Sequence, residues 1–361
     1  FPPGQQYLKE ELRGIERVWI KTPPYRGNGP ARLLNHLAFA WRTAGLGSAF
    51  APPDAVIGSS PHLLAALAAW RLARNHRLPF IFEIRDIWPQ SLVDAGALSR
   101  FSPLAAGMGL MEKWLCRKAA LIISALPGGA EHVAALDLGG NKVVYIPNGV
   151  DLGWFDQCAR EGNFVPVREA PWRRKGSVVF TYAGAHGYAN GLETVVAAAG
   201  ILQSTGKEGI HVLLAGEGPC SAGLRRMARD AGLTNITFLG AIDKDLVPPL
   251  LTQTDVCLFH LRNSRAYRFG LSSNKLFDYM AAARPLIAAV DVPLDPAFKN
   301  FCLQVPSDDP ASLARAMLQM AKRPPGRRAE MGLFARRYVE RYHDVTVLAG
   351  KLAETLERIV P

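Results

Sequence analysis

Val178-Val179-Phe180-Thr181-Tyr182-Ala183-Gly184-Ala185-His186-Gly187 passes from six strand-forming residues directly into a glycine-rich turn. Helical spacing follows over residues 192–203, and the pattern then repeats. Residues 211–215 lead into Gly216-Glu217-Gly218-Pro219 and a helix over 222–231. Strands at 236–239, 256–260 and 285–290 alternate with helices at 246–253 and 275–283, and helices fill most of 310–360. The first half shows the same rhythm, with strands at 54–58, 80–84, 121–124 and 143–146. Its helices lie at 63–77 and 103–118, and Ser59-Ser60-Pro61 offers the first of them a cap and a first-turn proline. Apolar strands separated by helices of about 10–15 residues predict parallel β-α-β units. Breakers interrupt the pattern between 156 and 176. A chain of 361 residues exceeds one ordinary core. The expectation is therefore an α/β protein of two Rossmann-like halves that binds ligands at the carboxyl ends of its strands.

Composition narrows the class. Hydrophobic residues make up 49% and charged residues 20% of the chain, which excludes a disordered polymer. No apolar run reaches the roughly 18 residues of a membrane span. Cys116, Cys158, Cys220, Cys257 and Cys302 are dispersed and form no C-x-x-C pair, a distribution that suits a reducing compartment and offers no zinc or redox motif. The net charge of +11 favours nucleic acid, anionic lipid or phosphorylated substrates. Arg71, Arg74 and Arg77 share one helical face, and Arg323, Arg327, Arg328, Arg336, Arg337 and Arg341 crowd a later one. Each cluster reads either as a solvated helix face or as a surface for phosphate or membrane. The chain opens at Phe1 with neither a signal-peptide pattern nor an apolar strand.

Three segments carry candidate chemistry. Gly184-x-His186-Gly187 and Gly216-Glu217-Gly218 each leave a strand and precede a helix, so their backbones can approach an anion. Neither is G-x-G-x-x-G and no Walker lysine motif is present, which disfavours nicotinamide and P-loop chemistry. In Phe269-Gly270-Leu271-Ser272-Ser273-Asn274-Lys275-Leu276-Phe277-Asp278-Tyr279-Met280, serines are expected to cap a helix beginning near Asn274. Lys275 and Asp278 then stand at i, i+3, either paired with each other or facing a ligand. In the first half, Glu83-Ile84-Arg85-Asp86 ends an apolar strand, with Trp88-Pro89 behind it. These charges either face a ligand or tie loops together. The histidines form no metal pattern; only His186 and His260 lie at strand ends.

These residues carry a resemblance. Phe82–Leu92 (F-E-I-R-D-I-W-P-Q-S-L) resembles the E-x-R-D-x-W-P segment of bacterial family 4 glycosyltransferases that build surface polysaccharides. Ile146–Asp151 (I-P-N-G-V-D) resembles the end of that family's first domain. The segments Y-A-G-A-H-G-Y-A-N-G-L-E-T (182–194), L-A-G-E-G-P (214–219), T-F-L-G (237–240) and N-K-L-F-D-Y-M-A-A-A-R-P (274–285) follow in the family's order. The set spans nearly the whole chain and is most similar to the fucosamine-transferase-like branch of O-antigen and capsule enzymes.

The resemblance implies the GT-B fold: two Rossmann-like domains with a cleft between them. Residues 1–160 would form the acceptor-side domain and 163–340 the nucleotide-sugar domain, with a terminal helix in 341–361 packing back on the first. It implies retaining transfer from a nucleoside-diphosphate sugar, usually a UDP-sugar, with no cofactor and no essential metal. Glu83, Arg85 and Asp86 would be catalytic. Gly184, His186, Gly187, Asn190, Gly216, Glu217, Gly218, Leu239, Ser273, Asn274, Lys275 and Asp278 would bind the donor. The implied partners are a UDP-sugar donor, a lipid-linked or saccharide acceptor and an anionic membrane surface, but no nucleic acid. The implied place is the cytoplasmic face of the cell membrane. There are departures: the family's E-x7-E pair falls on Gly270 and Asp278, and Ala185 and Asn190 stand where a cation pair is usual. The family's first strand and glycine loop would precede Phe1, so the chain reads as N-terminally truncated. Two alternatives stay open: a non-catalytic GT-B subunit binding a partner or glycan, and a UDP-sugar 2-epimerase, whose acid–base carboxylates and histidines are not evident here.

Overall fold

The computed structural model describes residues 1–360 except 13, 26–28, 47–49, 95, 163–166, 168–169, 171–172, 174–175 and 207–208. Much of the expected break at 156–176 therefore lies outside the described residues. The chain divides into two compact units, Phe1–Pro147 with Leu352–Pro361, and Asn148–Lys351.

The first unit contains a parallel sheet in the order β3 (Val56–Ser59), β4 (Phe80–Ile84), β5 (Leu121–Ser124), β6 (Val143–Tyr145). β4 and β5 are almost wholly buried, as continuous apolar runs in a parallel sheet should be. Ile81, Leu121 and Ile123 form a core against which Leu352, Leu356 and Ile359 from the chain's end also pack. Two elements differ from the sequence reading. A hairpin of β1 (Tyr7–Leu12) and β2 (Ile15–Ile20) opens the chain where no strand was expected. Its charged residues conceal it, because they sit in cross-strand contact: Lys9 Nζ lies 3.0 Å from Glu16, and Trp19 Nε1 donates to Glu10 at 2.8 Å. The helix Leu63–His76 is capped by His62, whose Nδ1 accepts from Ala65 N at 3.1 Å, and not by Ser59 or Ser60. His62 stacks on His36 at 4.0 Å. Burial first, then the positive neighbours His36 and Arg32, hold its pKa at about 4, so it is the neutral acceptor a cap requires.

The second unit is a six-stranded parallel sheet in the order β12-β11-β10-β7-β8-β9. Its strands are β7 (Val178–Ala183), β8 (Ile210–Ala215), β9 (Ile236–Gly240), β10 (Val256–His260), β11 (Leu286–Ala289) and β12 (Cys302–Val305). β7, β8, β10 and β11 are buried at every position, and each large apolar side chain among them contributes roughly 1.5–3 kcal/mol. The short edge strand β12, interrupted by Gln304, was not anticipated. Val150, Leu152 and Phe155 belong to this unit's core. The change of unit thus falls between Pro147 and Asn148, ahead of the expected residue 160, because the helix Leu152–Glu161 buries its apolar face here. The strand order reverses between β7 and β10. Such a switch point leaves a crevice outside the strand ends where ligands bind.

Candidate active site

Four strand ends converge on the switch point. The two glycine turns are laid backbone to backbone: His186 N donates to Glu217 O at 3.0 Å, Gly184 N to Ala215 O at 2.9 Å, and Gly216 N to Gly240 O at 2.7 Å. Gly216 has φ +130°, and a Cβ there would lie 1.9 Å from Gly184 O. Only glycine permits that approach. Gly218 is pressed against His186, whose O lies 2.6 Å from the place of its Cβ. Leu239, half-buried at the end of β9, precedes the Gly240 carbonyl that holds Gly216. Glu217 points to Arg225 at 2.8 Å, and that guanidinium lies over Phe238 at 4.9 Å. Hydrogen bonds from Ser221 and Arg225 lower the Glu217 pKa. His186 is fully buried. Its Nδ1 meets Ser221 Oγ at 3.0 Å, and its Nε2 has no partner among the described residues. Burial is the main cause of its lowered pKa, so the imidazole is neutral at pH 7.

Above these turns sits the helix Asn274–Ala281. Tyr279 fixes it: the buried phenol donates to Ala183 O at 3.1 Å and accepts from Ala183 N at 3.0 Å. Lys275, one turn earlier on the same face, is thereby delivered to the end of β7. Its Nζ donates to Tyr182 Oη at 2.8 Å and to Asn190 Oδ1 at 2.5 Å. Tyr182 Oη and Asn190 Nδ2 both donate to Ala185 O at 2.9 Å, closing the network. Gly184 leaves room for the lysine stem, since a Cβ there would lie 2.7 Å from Lys275 Cδ. Burial lowers the Lys275 pKa to about 8. An ammonium has three protons; two are used here and the third has no partner among the described residues. Gly187 and Asn190 border the same space.

The helix start differs from expectation. Ser273 occupies the cap position but its side chain makes no capping bond. Ser272 Oγ instead accepts from Asn148 N at 2.8 Å, and Asn148 Nδ2 donates to Ser272 O at 2.8 Å. The amides beginning at the exposed Asn274 are therefore left without that cap, in the arrangement that attracts anions. Of the two readings of Lys275 and Asp278, the mutual pair is not formed among the described residues. Asp278 is half-buried, carries no side-chain hydrogen bond among the described residues, and has a pKa raised to about 6 by burial, partly offset by Lys244. Sequence reasoning missed Tyr182, Tyr279 and Asn148, which set the positions of Lys275 and the helix. A tyrosine at i+4 from the lysine was the available signal.

In the first unit, Glu83 is the penultimate residue of β4 and is half-buried, whereas Arg85 and Asp86 are exposed. Among the described residues no hydrogen bond joins the three, so they do not tie the loop together. The loop is set by Ser60 and Glu112. Ser60 Oγ accepts from Arg85 N at 3.1 Å, Ser60 O accepts from Trp88 Nε1 at 2.8 Å, and Glu112 accepts from Trp88 N at 3.1 Å. Neighbouring groups desolvate the Asp86 carboxyl and raise its pKa against the opposing pull of Arg85. Among the described residues no group of three or more His, Cys, Asp or Glu is placed to hold a metal ion.

The arginines at 323–341, read either as a solvated helix face or as a surface for phosphate or membrane, are largely engaged. Arg328 is buried and donates to Ala321 O and Arg323 O. Arg336 pairs with Asp156 at 2.7 Å and with Glu340 at 2.7 Å, and Arg327 pairs with Glu330. Arg337 and Arg341 remain exposed. Among the described residues no helix is long and apolar enough to cross a membrane.

A switch-point cation beneath an open helix start, with glycine turns around it, offers the fixed positive charge and free N–H donors that suit an anionic group. Comparison with known proteins agrees in class. Residues 2–149 match the family described as Glycosyl transferase 4-like domain, and residues 177–323 match Glycosyl transferases group 1. The chain is similar to "Putative colanic acid biosynthesis glycosyl transferase WcaI" of Escherichia coli K12, 25% identical over 276 residues. That match covers 69% of this chain and 61% of the relative's length. Among solved structures it resembles sucrose-phosphate synthase from Thermosynechococcus elongatus (TM-score 0.76, 17% identity, 99% of this chain and 86% of that one). It also resembles Anabaena HepE in complex with UDP and glucose (TM-score 0.67, 14% identity, 91% and 83%). The chain has the GT-B fold, with a first half that matches the glycosyl transferase 4-like domain and a second half that matches glycosyl transferases group 1.

Proposed function

We propose that the protein transfers a sugar from a UDP-sugar to a lipid-linked or saccharide acceptor in the making of a bacterial surface polysaccharide, with retention at the anomeric carbon. The observation that carries this reading is Lys275, a desolvated ammonium with an uncommitted proton at the switch point, next to the uncapped start of its own helix. In the reaction the bond from the anomeric carbon to the β-phosphate oxygen breaks. The acceptor oxygen bonds to that carbon from the same face, its proton passes to the departing phosphate, and UDP leaves. Negative charge grows on the leaving diphosphate, and Lys275 with the helix amides is placed to stabilise it by fixed electrostatics. Asp278 accepts from the ribose hydroxyls. The names of two relatives support the assignment: one is a colanic acid biosynthesis transferase and another is solved with UDP and glucose. Incubation with UDP-sugars and purified acceptor lipid, followed by NMR of the product's anomeric proton, tests it. Formation of UDP and a glycoside of the donor's configuration is expected. Free epimerised UDP-sugar would instead identify an epimerase.

The exposed Arg85 and Asp86 serve the transfer step and not nucleotide binding. Arg85→Ala and Asp86→Asn are expected to cut turnover at least about 100-fold, the usual scale for a lost electrostatic contact to the transition state, with UDP affinity within about twofold of wild type. Near-normal turnover in either variant would remove them from the mechanism.

The net charge of +11 supports reversible binding of the enzyme to anionic membrane, with Arg337 and Arg341 among the contributing charges. Sedimentation with phosphatidylglycerol vesicles should exceed that with phosphatidylcholine and weaken as salt screens the charges. Equal sedimentation with both would contradict surface binding by charge.

A further inference from the structure

Beside the Lys275 network lies a pocket of about 210 Å³ at the ends of β10 and β11. Leu261, Arg262, Arg265, Arg268, Leu271 and Asp291 are among its lining residues. It is smaller than the roughly 300–1,000 Å³ of sites for whole drug-sized ligands, and so suits one ring of a larger molecule. Two connections place it against the proposed diphosphate site. Arg262 N donates to Ala189 O and Arg262 Nε to Tyr188 O, both at 2.9 Å, and Asn190 of that same turn holds Lys275. On the other side, Leu271 leads directly to Ser272, Ser273 and the helix start.

Three arginines and three carboxylates stand in and around this pocket, but they are paired unevenly. Arg262 is neutralised by Glu193 at 3.0 Å and Asp308 at 4.0 Å. Asp291 Oδ1 already accepts from Ser307 N at 3.1 Å. Arg265 and Arg268 are exposed and form no ion pair among the described residues. Arg268 is steadied by the Phe269 ring, 4.4 Å from its guanidinium carbon. Arginine donates and never accepts. The two arginines without a carboxylate partner can meet a ligand carboxylate with paired charge-assisted bonds, stronger than those they would make to a neutral hydroxyl.

From this juxtaposition we infer that the sugar of the donor is anionic, a nucleotide-activated hexuronate whose carboxylate is received by Arg265 and Arg268. The inference rests on the donor-site reading above and adds the class of sugar. Calorimetric titration of the full chain with UDP, UDP-glucuronate and UDP-glucose tests it. UDP-glucuronate should bind at least about tenfold more tightly than UDP-glucose, with the gap narrowing at high salt. Arg265→Ala/Arg268→Ala should abolish the gap while UDP itself binds within about twofold of wild type, which also shows that the variant is folded. Equal affinity for the two nucleotide sugars, or a preference that survives the double substitution, overturns the anionic-sugar assignment and leaves the donor site standing. Failure of wild-type protein to bind UDP removes both.

Discussion

Asp278→Asn is expected to make the free protein more stable above pH 7 and to weaken uridine and UDP about 10- to 100-fold. The two effects share one cause. Burial raises the Asp278 pKa from 3.8 to about 6, so between those values the folded state binds more protons than the unfolded state. Stability therefore falls as pH rises from about 4 through 6, and the full cost of the buried charge is present above that range. At 1.36 kcal/mol per pH unit this cost is at most about 3 kcal/mol. The asparagine side chain carries no charge and is free of it. What the carboxylate supplies in return is an acceptor for ribose hydroxyls, each such bond to a charged group being worth roughly 1.5–3 kcal/mol. Thermal unfolding at pH 5 and pH 8 should show the variant's advantage at pH 8 about twice that at pH 5. Titration with uridine, which carries no phosphate to ionise, should show wild-type affinity rising through about pH 6 and the variant's staying flat. A variant that binds uridine as wild type does would show that the ribose lies elsewhere.

Much of this arrangement is legible in the amino-acid sequence, and what is legible depends on burial. The parallel strands around Phe82, Phe180, Leu213 and Phe259 announce themselves because both faces are covered, which forces continuous apolar runs. The glycine turns are legible because only glycine allows backbone within touching distance of backbone at Gly216. The hairpin Tyr7–Ile20 is not, since its partners are charged residues matched across strands and no apolar alternation marks them. Caps are misplaced for a similar reason. A serine near a helix start is only a local signal, while Ser60 and Ser272 are drawn into distant contacts with Arg85 and Asn148 that no short window displays. The same limit applies to Lys275. Its helix and its charge are evident, but Tyr182 and Asn190, 93 and 85 residues away, decide where the ammonium points. Arg328 and Arg336 make the converse case: residues that read as a free basic surface are committed to backbone carbonyls and to Asp156.

Lys275→Ala should weaken UDP about 10- to 100-fold while leaving uridine within about twofold, because the lost proton donor faces phosphate and not the nucleoside. The magnitude is that of one charge-assisted hydrogen bond, roughly 1.5–3 kcal/mol. In the free protein the ammonium is held against desolvation by two neutral acceptors, Tyr182 Oη and Asn190 Oδ1, and its pKa stands at about 8 instead of 10.5. The folded state thus binds fewer protons than the unfolded state between those values, so stability rises with pH from about 8 to 10.5 and is penalised below 8. A diphosphate restores the missing counter-charge and draws a proton onto the lysine. Binding above pH 8 must therefore take up a proton, and UDP affinity must fall as pH rises through about 8 and continue to fall toward 10. Titration at pH 9 in two buffers of different ionisation heat measures that uptake directly. Wild type should take up a fraction of a proton per UDP, and Lys275→Ala none. Proton uptake of equal size in the variant, or an affinity for UDP within twofold of wild type, would place the diphosphate away from Lys275 and with it the reaction centre proposed for this unit.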